Sequence, residues 1–393
     1  MLVALELLLG AVASLLMLPV GVLFVQLVLA LMLPVAGHDK LGKRGRIGII
    51  VPAHDEASII AGTLRSIVSQ LAPSDRLIVV ADNCSDETAS VATECGAETI
   101  VRTDSGRRGK GFALDFGIRH LAPAQPDVVI VIDADCQIGP GAIDRLARVC
   151  MMSVRPVQAL YLMRSPPNAR LMTKIAEFAW VVKNQARPLG SRRMGLSCQL
   201  MGTGMAFPWS CISAADLASG HIVEDLKLGL DLVRAGTPPL FCPEALVTST
   251  FPASKEGMQS QRARWEHGHL GVLTRELPRL YASAIVKRDL QTLAAALELS
   301  VPPLALLVLL VTLVWCASLI FFFVAQSRIP LWIASVDAIL FFAAVMTAWV
   351  SHGRHIVSFG ALAFGAVYAL AKIPLYVRFL VARQVSWVRS KRD

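Results

Sequence analysis

Two aspartates one residue apart, Asp133-Ala134-Asp135, follow the apolar run Asp127–Ile132. Carboxylates so spaced at a strand end can share a divalent cation. Oxygen ligands suit Mg2+ or Mn2+, which would neutralise a diphosphate leaving group. Aspartates are also common where a strand turns, so the pair alone says little. Asp82-Asn-Cys-Ser-Asp86 follows another apolar run. Asp82 can accept a hydrogen bond from a base or ribose, while Ser85 or Asp86 better suits the N-cap of the next helix. Arg107-Arg-Gly-Lys-Gly111 is a cationic loop opening a helix. Lys110 at that N-terminus makes a seat for phosphate, or the loop is a solvated turn.

Glu224-Asp225 begins a helix after Ile222-Val223. A carboxylate there can take a proton from an acceptor hydroxyl, and it also suits the helix dipole. Gln261, Arg264 and Trp265 share one helical face by the i, i+3, i+4 rule. Arg264 can hold a diphosphate and Trp265 can stack on a sugar or base; a basic membrane-facing helix with an interfacial tryptophan has the same pattern. His267 and His269 stand two apart, which spreads them around a helix and argues for surface or hydrogen-bonding roles over metal ligation. Gly202-Thr203-Gly204 can let an acceptor approach the backbone, or simply turn the chain.

The elements that must position these groups alternate. Strands are expected at Arg46–Pro52, Arg76–Ala81, Glu98–Arg102 and Asp127–Ile132, with helices at Glu56–Gln70, Asp86–Cys95 and Gly111–His120. That order predicts an α/β fold with a mostly parallel sheet covered on both faces. Ligands bind beyond the carboxyl ends of such strands, where His54-Asp55-Glu56, Asp82-Asn83 and Asp133-Ala134-Asp135 all fall. From Met151 to Pro252 the pattern is less regular, with helices expected at Glu177–Gln185 and Val223–Arg234 and, beyond it, at Glu256–Leu273.

The ends of the chain are of another kind. The hydrophobic fraction is 54%, the charged fraction 17% and the mean hydropathy +0.56 over 393 residues, with the apolar excess in terminal blocks. Leu2–Ala36 lacks a basic leader and ends in lysines and arginines, as a retained anchor does; Glu6, Pro19 and Gly21 predict a kink in it. Blocks near 301–325, 331–350 and 356–382 are each long enough to cross a bilayer. Four crossings would leave the basic C-terminus on the side of the N-terminus, against the positive-inside rule; a bend at Pro374 would leave three. The net charge of +9 gathers at Lys40, Lys43, Arg44 and Arg46 and at Arg378, Arg383, Arg389, Lys391 and Arg392, which reads as attraction to a membrane surface. No basic run is interleaved with aromatics, which argues against a nucleic-acid partner. Eight scattered cysteines without a C-x-x-C pair fit a reducing compartment.

In order and setting, these motifs resemble the family 2 glycosyltransferases of GT-A fold, and within them the membrane branch of cellulose, chitin and hyaluronan synthases. The resemblance covers roughly residues 46–270 and the flanking membrane blocks. Val51-Pro52-Ala-His-Asp55-Glu56 is similar to the family's opening strand and nucleotide loop. The resemblance implies that Asp82 contacts the base, Lys110 the diphosphate, and Asp133 and Asp135 the metal, with Asp135 the direct ligand. It makes Asp225 the base, beside Glu224, in a T/S-E-D motif. Gln261, Arg264 and Trp265 become the Q-x-x-R-W of polymerising members, and Gly202-Thr203-Gly204 the acceptor loop. Two departures stand out: Val223 replaces the Thr or Ser before Glu-Asp, and Ala81-Asp82-Asn83-Cys84 replaces Asp-Asp-Gly-Ser.

The resulting expectation is an inverting hexosyltransferase that passes a sugar from a nucleotide diphosphate, UDP by preference, to a growing saccharide. Single addition to a polyprenyl phosphate or sphingolipid is the alternative. Three or four spans make a thin conduit, so polymer export would call on self-association or a separate exporter. The domains expected are an anchor at 1–37, a cytoplasmic GT-A domain at 38–280, an interfacial helix at 281–300 and a membrane bundle at 301–393, in the inner (plasma) membrane. A nucleotidyltransferase would want a Gly-rich signature after the first strand, where Pro52-Ala-His-Asp-Glu56 stands. A transporter would carry more ionisable groups within its spans than Glu6, Asp337 and Lys372.

Overall fold

Apolar runs too short for helices become the first strands of an eight-stranded sheet. The computed structural model describes residues 1–31, 42–252 and 254–381. Its strands are β1 (Ile47–Ala53), β2 (Arg76–Asp82), β3 (Glu98–Arg102), β4 (Val128–Val131), β5 (Gln137–Ile138), β6 (Val157–Arg164), β7 (Met205–Pro208) and β8 (Leu240–Thr250), in the order β3-β2-β1-β4-β7-β6-β8-β5. β1 runs parallel to β2 and β4, and β2 parallel to β3, as their crossover helices require. The helix Lys110–Leu121 lays Ala113, Leu114, Ile118 and Leu121 against Ile50, Ile78 and Val80. Each such buried aliphatic side chain contributes about 1.5–3 kcal/mol.

The second half of the sheet is mixed. β7 is antiparallel to both β4 and β6, β5 is antiparallel to β8, and β6 is parallel to β8 with a register shift at Ala159/Leu160. The sheet expected to be mostly parallel is thus wholly parallel from β3 to β4 and mixed beyond, where only β6 and β8 run parallel. The chain that supplies β5 to β8 lacks the regular strand–helix alternation that parallel pairing needs. This unit continues through Leu196 to Gly268. Arg44 and Arg46, read as drawn to a membrane surface, also form ion pairs within this unit: Arg44 with Asp75 at 2.6 Å and Asp144 at 3.3 Å, Arg46 with Asp127 at 3.7 Å. Of the other basic positions noted, Lys40, Arg383, Arg389, Lys391 and Arg392 lie outside the described residues.

The second unit is helical and gathers the N-terminal helix, residues 167–195 and the chain from His269 onward. Among the described residues, four of its segments are long and apolar enough to cross a membrane: Leu2–Leu29, Leu304–Ala325, Ile329–Gly353 and Phe359–Val381. The first contains Pro19 without a break in the helix. The last is interrupted ahead of Pro374, between the helices Phe364–Leu370 and Ile373–Val381. Some polar groups in this unit pair across its helices: Ser327 Oγ donates to Glu6 Oε1 at 2.7 Å, and buried Arg187 donates to Gln26 Oε1 at 2.8 Å and to the Glu298 carbonyl at 2.9 Å.

Candidate active site

Three strand ends and two loops bring the singled-out residues together. β1 ends at Ala53, and Asp55 follows with a left-handed backbone. Asp55 Oδ1 accepts from the Ser85 N–H at 2.6 Å, and the Glu56 N–H donates to Thr88 Oγ1 at 2.8 Å, so the loops after β1 and β2 are stitched to each other. Pro52 lies within β1, opposite Val80. The N-cap of the helix Thr88–Glu94 is Glu87 rather than the expected Ser85 or Asp86, but Asp86, just ahead of it, accepts the Thr88 N–H at 3.0 Å. His54 Nδ1–H donates to the Asp82 carbonyl at 2.7 Å.

Asp82 closes β2 and is buried. Arg102, at the end of β3, reaches its Oδ1 at 2.6 Å. Burial lifts the Asp82 carboxyl above its ordinary range, while Arg102 pulls it back.

Lys110 is the hub. Its Nζ stands 2.5 Å from Asp133 Oδ1, 2.6 Å from the Gly202 carbonyl and 3.8 Å from Glu224 Oε1. Burial opposes its charge, but Asp133 and Glu224 outweigh burial and hold the ammonium above its ordinary range. Burial pushes the Glu224 carboxyl up to about 7, Asp225 adding like charge and Lys110 opposing. Glu224 and Asp225 open the helix Glu224–Arg234. A Cβ on Gly202 would stand 3.4 Å from Asp225 Oδ2, and the φ of +89° there suits glycine.

The loop Gly202-Thr203-Gly204 is fixed from behind. The Asp133 N–H donates to Thr203 Oγ1 at 3.0 Å. Gln158, fully buried in β6, donates from Nε2 to the Thr203 carbonyl at 2.9 Å and accepts the Met201 N–H at 2.8 Å. The expected site did not include Gln158. Its only signal is an amide within the apolar run Val157–Met163.

Ligand atoms of Asp133, Asp135 and Cys136 lie within 4.8 Å of one another. Two carboxylates fit a hard divalent cation. Burial keeps the Cys136 thiol protonated, well above its ordinary range.

Gln261, Arg264 and Trp265 lie on the long helix Lys255–Lys287; Gln261 is buried and the other two are half-buried. One turn beyond Arg264, Gly268 meets Val223: a Cβ on Gly268 would fall 2.5 Å from Val223 Cγ1. That close approach seats the helix beside Glu224-Asp225. It also gives Val223, the departure from Thr or Ser, a packing role. His267 and His269 are buried, not surface residues, because 267–270 are covered all round the helix. Burial pulls His269 down to about 3, so its ring is neutral.

Residues 45–268 match the family described as Glycosyltransferase like family 2. The chain belongs to that family. This family 2 glycosyltransferase is 25% identical over 254 residues to the probable glycosyltransferase YdaM of Bacillus subtilis, covering 62% of this chain and 60% of that protein. It is 25% identical over 213 residues to the 4,4'-diaponeurosporenoate glycosyltransferase of Staphylococcus haemolyticus, covering 49% of this chain and 52% of that one. The matches thus span about half to three fifths of these relatives. Among solved structures it resembles the mannosyltransferase PcManGT from Pyrobaculum calidifontis, in complex with GDP-Man and Mn2+, with a TM-score of 0.54, 16% identity, and coverage of 96% of this chain and 100% of that one. At that identity the likeness is one of fold. It is a GT-A core flanked by membrane helices.

Proposed function

We propose that this glycosyltransferase moves a hexose from a nucleotide diphosphate, with inversion, onto a growing saccharide at the cytoplasmic side of the inner (plasma) membrane. In this reading residues 1–37 anchor the chain, 38–280 carry the chemistry, 281–300 lie at the interface and 301–393 form the membrane bundle. The reading rests on one observation: a single lysine joins the cation-binding carboxylate, the acceptor-side loop and the helix that carries the base.

The nucleotide lies across the strand ends, its base near Asp55 and Asp82. Asp133 and Asp135 would hold Mg2+ or Mn2+, which supplies positive charge for the departing diphosphate. Lys110 and Arg264 add fixed cations to the same oxygens, preorganised rather than drawn from solvent. Pro52 and Glu56 shape the nucleotide loop, and Gln261 and Trp265 the sugar side. Gly202, Thr203 and Gly204 face the acceptor. Asp225 takes the proton of the acceptor hydroxyl, whose oxygen attacks the anomeric carbon opposite the leaving diphosphate. An α-linked donor then gives a β-linked product.

Asp225→Asn tests the base. Turnover is expected to fall by about 10²–10⁴-fold, and wild-type turnover in that variant would refute the assignment. Excess EDTA is expected to abolish activity and added Mn2+ or Mg2+ to restore it; unaltered activity in EDTA removes the cation from the reading.

A second reading, one addition to a lipid acceptor, is favoured by the similarity to the 4,4'-diaponeurosporenoate glycosyltransferase and by the small number of candidate spans, which leaves polymer release to self-association or an exporter. Product length on a gel separates the two: a ladder supports the polymer former, a single band the lipid transferase.

A further inference from the structure

The turn that joins the last two apolar segments carries an arginine laid flat on a tryptophan. The helix from Ile329 ends in a π-helical turn at Trp349–Gly353. Its i to i+5 bonding brings Arg354 round over Trp349, five residues earlier, where an α-helix would carry it to another face. The guanidinium lies 5.6 Å from the Trp349 ring centroid. The indole is itself pinned: its Nε1–H donates to the Val357 carbonyl at 2.9 Å, and the Phe359 ring stands 5.5 Å away. The turn is fixed as well. The Ile356 and Val357 N–H groups both donate to the Gly353 carbonyl, at 2.9 and 3.0 Å, and both side chains are buried. Gly353 is pressed on the helix Leu171–Val181, where a Cβ would fall 2.5 Å from Phe178 Cε2.

Arg354, His355 and Ser358 are left exposed. Among the described residues nothing accepts a hydrogen bond from Arg354, so its planar fork of N–H groups is open. Stacking sets the plane of that fork, which suits two oxygens of one phosphate. Acids are scarce around it. Between Asp337 and Asp393 the sequence holds no Asp or Glu, and the helix packed on the turn exposes Lys174 and buries Glu177. With Ile329–Gly353 and Phe359–Val381 as spans, the turn between them falls at the depth of the lipid headgroups, where tryptophan is at home. We propose that Arg354, His355 and Ser358 form a headgroup site for an anionic phospholipid, with the Arg354 fork on the phosphate. A choline headgroup would bring an ammonium to a place lined by cations, so the site selects lipids of net negative charge. The inference needs the spans and does not depend on the transferase chemistry.

The test is native mass spectrometry of the purified full-length protein, after exchange in detergent with equimolar dioleoylphosphatidylglycerol and dioleoylphosphatidylcholine. The wild type is expected to retain the glycerol lipid over the choline lipid by about fivefold or more, and Arg354→Gln to lose about fivefold of that preference, the share of one cation at an anionic surface. Arg354 is exposed, so the variant is expected to keep its melting temperature. Arg378→Gln removes another exposed cation of the same segments and is expected to leave the preference unchanged. Equal retention of the two lipids by the wild type, which needs no variant to fold, overturns the inference. So does an unchanged preference in Arg354→Gln. An equal loss in Arg378→Gln also overturns it, because the attraction would then follow net charge and not this turn. Thermal protection by inorganic phosphate as large as that by the glycerol lipid would assign the site to free phosphate and overturn the lipid.

Discussion

Replacing Gln158 with methionine keeps the side chain's length and volume and removes both polar ends. The Met201 N–H then loses its acceptor at 2.8 Å and the Thr203 carbonyl its donor at 2.9 Å. Thr203 is fully buried, so water cannot take the amide's place without the loop opening. Two orphaned groups at roughly 1–3 kcal/mol each, partly relieved by relaxation, give about 2–4 kcal/mol. For a domain of this size that is a fall in melting temperature of roughly 4–16 °C. Whatever the loop recovers by shifting, it gives up in geometry, because the Gly202 carbonyl holds Lys110 and the Thr203 hydroxyl holds the Asp133 N–H. Acceptor KM is therefore expected to rise about tenfold or more, and the dissociation constant for the donor nucleotide to rise with it, because Lys110 and Asp133 serve the donor. Differential scanning fluorimetry, initial-rate kinetics and nucleotide titration measure the three quantities. An unchanged melting temperature together with an unchanged acceptor KM would show that the loop is held by something other than this amide.

The raised Glu224 carboxyl gives turnover an acid limb: activity is expected to climb as pH rises through about 7, and Glu224→Gln to remove that limb and lower the plateau. A limb of unchanged position in the variant would rule Glu224 out as its source. The same shift has a sign for stability. Because the folded value exceeds the unfolded 4.5, Glu224 favours the folded state most below pH 4.5 and withdraws that contribution by about 7. The melting temperature of wild type minus Glu224→Gln should therefore decrease as pH rises from 4.5 to 7; an increase would mean the shift runs the other way. Gly268→Ala places a methyl group 2.5 Å from Val223 Cγ1. It is expected to cost about 1–3 kcal/mol and to slow turnover by moving the helix Glu224–Arg234. Gly268→Ala combined with Val223→Ala should recover part of both losses, and no recovery would count against that contact.

The sequence made the β3–β4 side of the sheet legible because each strand there is an apolar run followed by an amphipathic helix, and the polar residues cluster just past the strand ends. The other side was not. β5 has two residues and β7 four, too few for any periodicity, and β8 is 11 residues long with a register shift in its pairing to β6. Within the site, groups that carry charge toward a ligand announced themselves by type and spacing: Asp133, Asp135, Lys110, Glu224 and Asp225. Groups that act by holding others did not. Gln158 holds the loop through bonds to Met201 and Thr203, more than 40 positions away, Arg102 looks like any basic strand end, and Gly268 matters for an atom it lacks. The surface alternative for His267 and His269 fails because their burial comes from packing all round the helix, which a helical period alone does not reveal.

The antiparallel pairing of β7 with β4 has a cost during synthesis. Val128 pairs with Pro208 and Val131 with Met205, so the partner of the first strand residue leaves the ribosome 80 residues later. At about 5–20 residues per second, Val-Val-Ile-Val of β4 waits roughly 4–16 s with one row of backbone donors and acceptors open. Such an edge is a template for pairing with another nascent chain. Slow translation between Asp133 and Met205 should therefore lower the soluble yield of this protein more than equal slowing after Pro208.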